Sequence, residues 1–125
     1  MQRTLKLEEL AMFGFSLFLF NQTEYVWWIY LALILVPDIG MIGYLINSKT
    51  GALTYNLLHH KGIALSILIL GYYYSIDWVV LTGIILFGHA AFDRMLGYGL
   101  KYDDSFKHTH LGWLNGRDSE KYETN

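Results

Sequence analysis

The chemistry open to this 125-residue chain rests on five histidines and a few carboxylates. His89 and Asp93 stand four apart, so one helix face would present both. That spacing suits an imidazole nitrogen and a carboxylate oxygen on one cation. Asp38 lies inside an apolar run, directly after the single proline, Pro37, where a kink would free backbone carbonyls. An ionisable group in such a run is expensive to bury and by default marks function. Tyr55 with His59, and Asn56 with His60, are also four apart. If that stretch is helical, one of the two pairs faces the same cavity. His108 and His110 are two apart, so an extended segment would point both the same way. Glu8 and Glu9 head an apolar run, where they either serve the helix dipole or supply a general base. Imidazole and carboxylate without thiolate suit zinc, manganese or iron. Such a cation could acidify a water molecule toward a pKa of about 7 and make a nucleophile.

Plainer roles compete with these. Asp38 could pair with Arg94 or Lys61. His89 could be a packing histidine bonded to a backbone carbonyl. His59 and His60 could be interfacial, and His108 and His110 solvated.

The elements that must position these groups are helices. Hydrophobic residues make up 54% of the chain, aromatic 17% and charged 16%. That apolar excess is more than a small soluble core hides, and lipid is where it fits. Four continuous apolar stretches run from about Leu10 to Phe20, Tyr25 to Ile46, Gly62 to Ile76 and Trp78 to Phe92. None alternates at period two, so an all-α polytopic membrane protein with four transmembrane helices is expected. Only the second stretch reaches the roughly 20 residues that span a bilayer unaided; the others must extend into flanking polar sequence. With four spans, all nine Lys and Arg fall on one side. The two loops on the other side carry only Glu24 and Asp77. This positive-inside pattern, with Trp27, Trp28 and Trp78 at the opposite interface, predicts both termini in the cytoplasm and a multi-pass protein of the cell inner (plasma) membrane. Residues 1–112 form the domain with a cytoplasmic return segment, and 113–125 a disordered polar tail.

Several classes drop out. There is no Cys, which excludes disulfides and thiolate sites. A net charge of −2 suggests no nucleic-acid partner. A cleavable signal peptide is not expected, because Glu8 and Glu9 occupy the place of a basic n-region.

The motifs Leu35-Val36-Pro37-Asp38, Tyr55-Asn56 with His59-His60, Gly88-His89 through Asp93-Arg94, Leu96 to Lys101, and Phe106-Lys107 with Thr109 to Gly112 fall in one order. Over about Leu5 to Gly112 they resemble the family termed domain of unknown function 4260, small bacterial integral membrane proteins. The resemblance implies membrane residence and no activity. Proline-aspartate at a helix end, histidines before a third helix, then Gly-His and Asp near the end of another is also similar to the membrane-bound metal-dependent hydrolases. That resemblance implies Asp38, His60 (or His59), His89 and Asp93 as metal ligands. It departs at helix 3, where this chain has Ser66 and no further histidine.

The leading expectation is a metal-dependent hydrolase of a lipid-like ester or phosphoester. One or two divalent ions (zinc, manganese or iron) would sit on Asp38, His60, His89, Asp93 and one or both of His108 and His110. Asp38, Glu8 or Glu9 would supply the catalytic carboxylate. Its rivals are an iron or haem redox site and a non-enzymatic proton- or ion-coupled transport or accessory protein. Four short helices make a homo-oligomer plausible.

Overall fold

The computed structural model describes residues 2–104 and 107–113. The chain is mostly helical, with α1 (Gln2–Asn21), α2 (Trp27–Leu33), a 3-10 helix (Val36–Leu45), α3 (Ser48–His59), α4 (Lys61–Tyr74), α5 (Asp77–Leu96) and a two-stranded hairpin of β1 (His108–Thr109) and β2 (Gly112–Trp113). The expected disordered tail lies outside the described residues from 114 onward, and so does Phe106.

α5 is the central helix. Phe13 of α1 packs on Phe92 at 5.5 Å between ring centroids, while Phe20 shares a cluster with Ile84, so α1 runs antiparallel to α5. α4 is antiparallel to α5 as well, with Gly83 against the Leu68 backbone and Gly71 against Val80. Glycine allows this close approach, since a Cβ on Gly83 would sit 2.7 Å from Leu68 N and Cα. Phe20, Tyr30, Leu68, Val80, Ile84 and Ile85 fill the core between these helices. Within it, buried Ser16 hydrogen-bonds the Tyr30 hydroxyl at 2.8 Å, which ties α1 to α2 beside Gly88.

Three points differ from the four-helix expectation. First, the polar break at Asn47 to Gly51 opens a helix: the Asn47 side chain accepts from Thr50 N at 2.7 Å and caps α3. α3 then packs back along the 3-10 helix, with the Thr54 hydroxyl donating to Gly40 O. Second, the long apolar stretch is not one α-helix, because it breaks between Leu33 and Val36. Third, among the described residues two segments, Trp27–Leu45 and Asp77–Leu96, are long and apolar enough to cross a membrane. α1 carries Arg3, Lys6, Glu8 and Glu9 in its first half, and α4 has only 14 residues.

Beyond α5 the chain turns at Gly97, whose φ of 95° is left-handed and closes the helix. The return segment is fastened to α3 by one side-chain amide. Asn56 donates to Lys101 O at 2.8 Å and accepts from Lys101 N at 2.7 Å.

Candidate metal centre

Pro37 prepares the first half of the site. It has no N–H, so the carbonyl three residues before it, that of Ile34, loses its 3-10 partner. The α-helical partner, Asp38 N, bonds instead to Leu35 O at 3.1 Å. Ile34 O is thus left without a partner in its own helix, and His89 Nδ1 donates to it. The break also turns Asp38 toward α5, where its Oδ1 lies 3.0 Å from His89 Nε2.

α3 supplies the second half. Tyr55 and His59, one turn apart, are both buried. Their rings stack at 3.8 Å with 9° between planes, and His59 Nδ1 donates to Tyr55 O at 2.8 Å. Both imidazoles are therefore anchored at Nδ1 on a carbonyl. A carbonyl can only accept, so Nδ1 carries the hydrogen and Nε2 is turned to the common centre. Asp93, one turn after His89, completes the group, and the Tyr55 hydroxyl donates to its Oδ2 at 3.3 Å.

Asp38, His59, His89 and Asp93 each offer a donor atom, all within 4.8 Å of one another. His59 Nε2 lies 3.4 Å from Asp38 Oδ1 and 3.3 Å from Asp93 Oδ2. His89 Nε2 lies 3.0 and 3.4 Å from the same two oxygens. A tetrahedral cation with bonds of about 2.0–2.1 Å to nitrogen and oxygen keeps its donors about 3.3 Å apart. The four histidine–carboxylate edges of the quartet, at 3.0–3.4 Å, are close to that length. His59 Nε2 is fully buried and makes no aligned hydrogen bond; its polar neighbours are the two carboxylate oxygens, so a neutral His59 keeps its Nε2 lone pair free for a cation. The side chains of both histidines are 0–1% exposed and that of Asp93 12%, whereas that of Asp38 is 40% exposed. The centre is reached past Asp38.

The other candidates lie elsewhere. His60, next to His59, leaves the quartet because α3 ends there: its backbone is extended and its Nδ1 accepts from Ile63 N, capping α4. His108 pairs with Asp104 at 2.9 Å and stacks on Trp113. His110 Nδ1 accepts from Leu100 N at 2.8 Å. Hairpin geometry thus holds both tail histidines on their own segment. Glu9 is paired with Lys61, and Glu8 lies on the exposed side of α1. The sequence by itself places His60 in the ligand set with His59 as its alternative; Asn56 stands four before His60 as Tyr55 does before His59, so spacing carries no signal to separate them, and the structure brings His59 into the quartet. Lys101 lies 4.9 Å over the Tyr55 ring, and burial pushes its ammonium down to about 8 against the opposing pull of Asp93. Burial likewise lowers the His110 imidazole below its ordinary value.

Comparison with curated proteins and with solved structures gives no match. The family model "Domain of unknown function (DUF4260)" matches residues 2–114, the whole described fold with its quartet, and the chain belongs to that family.

Proposed function

We propose that this is a polytopic integral membrane protein that holds one divalent cation among Asp38, His59, His89 and Asp93 and uses it to hydrolyse an ester or phosphoester of a lipid-like substrate. The observation that carries the reading is the buried His59 Nε2, which makes no aligned hydrogen bond and is set at coordination spacing from two carboxylates. Carbonyl-anchored Nδ1 atoms are how proteins fix the tautomer of ligating histidines.

Membrane residence is supported by the surface. Leu35, Val36, Ile39, Ile42, Leu45 and Ile46 form an exposed run, 51–84% accessible. So large an exposed apolar patch in water would be an aggregation liability. In lipid it is the ordinary exterior.

A cation bound there would polarise a carbonyl or phosphoryl oxygen and activate water. The chain's own part is to hold Asp93 and both imidazoles rigid while leaving Asp38 open to the incoming group. An apolar cavity of 260 Å³, lined by Val36, Pro37, Ile39 and Leu58 among others, flanks Asp38 and His59 in sequence and suits an acyl chain.

Elemental analysis of the purified full chain is the test. About one equivalent of zinc, manganese or iron is expected, lost in His59→Ala with His89→Ala. No metal, or metal that survives the double substitution, overturns the centre. Release of p-nitrophenol from acyl or phosphodiester esters on reloading the metal tests the reaction class separately. Iron with a visible absorption band and no hydrolysis would replace it with redox chemistry.

A further inference from the structure

A second cavity, of 550 Å³, lies at the α1 N-terminal end of the bundle and shares no residue with the quartet. Lys6, Lys61 and Arg94 line it, with His60, His110 and a single carboxylate, Glu9. Glu9 is taken up by Lys61. Lys6 has no partner among the described residues. Arg94 donates to two neutral carbonyls, Tyr98 O at 2.9 Å and His59 O at 3.0 Å, neither of which offsets its charge. The cavity therefore holds three cations against one paired carboxylate.

Its two histidines add to this. Both accept a backbone N–H at Nδ1, His60 from Ile63 and His110 from Leu100. A neutral imidazole that accepts at one nitrogen donates at the other, so each presents Nε2–H. This is the opposite of the quartet, whose imidazoles donate at Nδ1. Apart from Glu9, the charged and imidazole groups lining the cavity are donors. Leu5, Leu100 and Leu111 supply an apolar wall. The volume falls in the range of small-molecule sites.

We infer that this cavity binds a phosphate-bearing anion, with the donors from α1, α4, α5 and the return segment around the phosphate and the leucines against an attached acyl or glycerol portion. Charge-assisted bonds from Lys and Arg are the strong ones for phosphate. Arg94 also holds the carbonyl of His59, so the site adjoins the quartet, yet the inference does not require a metal there.

The experiment uses the full chain in detergent after removal of metal. Retention of dioleoyl phosphatidylglycerol, dioleoyl phosphatidylcholine and inorganic phosphate is titrated by native mass spectrometry. Phosphatidylglycerol is expected to bind at least tenfold more tightly than phosphatidylcholine, with the gap closing in Lys6→Gln with Arg94→Gln. Arg94→Gln removes a bond to α3 and could unsettle the fold. Lys6→Gln with His110→Gln leaves that bond intact and is expected to narrow the gap as well. Inorganic phosphate that binds by itself, competes with the lipid and is lost in the same variants would assign the site to free phosphate instead of a headgroup. A gap under threefold with no phosphate binding, or a gap that survives both pairs of substitutions, overturns the inference.

Discussion

His59 and His60 are adjacent imidazoles with different work. His59 is still helical, one turn after Tyr55, and its ring is held under the Tyr55 ring. His60 has φ −89° and ψ 117°, which swings its side chain away to cap the next helix. His59→Ala should therefore abolish stoichiometric metal, while His60→Ala should leave it unchanged and cost about 0.5–2 kcal/mol of stability as a lost cap. Equal metal in both variants would reverse the assignment of His59. Lys101 carries a pH prediction. Burial lowers its folded value to about 8, below the 10.4 of a free lysine. Between those values the unfolded chain binds more protons than the folded one, so this group's contribution to stability rises with pH. Measured by melting in detergent, wild type should gain on Lys101→Met as pH goes from 7 to 10. A difference that stays flat with pH contradicts this.

Among the elements, the broken second apolar segment is the one that makes the site. A continuous α-helix would use Ile34 O for Asp38 N; the proline and the 3-10 turn release it to His89. Pro37→Ala restores an N–H and lets the helix reclaim its carbonyls. Metal affinity should fall about 10–100-fold, as when outer-shell partners of a ligating histidine are removed, with helical circular dichroism equal to or above wild type. Unchanged affinity would mean that Ile34 O does not orient His89. The α4–α5 contact makes a packing prediction. Gly83→Leu drives a side chain against the Leu68 backbone and should destabilise by about 1–3 kcal/mol. Thr82→Leu, one position away and exposed, should change melting little. Similar melting points for the two would deny the close approach.

At the scale of the whole molecule, antiparallel packing brings the start of α1, the start of α4 and the end of α5 to one end, where Glu9 meets Lys61 and Arg94 meets His59 O. Glu24, in the α1–α2 connection, and Asp77, the first residue of α5, lie at the other end. Because the chain has no Cys, single cysteines can map its orientation cleanly. In intact cells a membrane-impermeant maleimide should label Glu24→Cys and Asp77→Cys, and should reach Lys49→Cys and Lys107→Cys only after permeabilisation. The reverse pattern, or protein released by alkaline carbonate, would discard the proposed topology.

Helical class, the apolar stretches, the kink at Pro37 and the pairing of His89 with Asp93 were all legible in the order of residues, because hydrophobic periodicity and i to i+4 spacing are local properties. The family resemblance was legible for the same reason, its motifs standing in one order along the chain. Local pattern did not reveal α3, whose capping Asn47 sits in what looks like a polar loop. Nor could it choose between His59 and His60, since the choice depends on where a helix ends and which face meets α5. Folding alone brought donor atoms of positions 38, 59, 89 and 93 within 4.8 Å of one another, and it held His108 and His110 away on their own hairpin. Contacts between residues about fifty positions apart follow from how helices pack, and spacing along the chain carries no record of that.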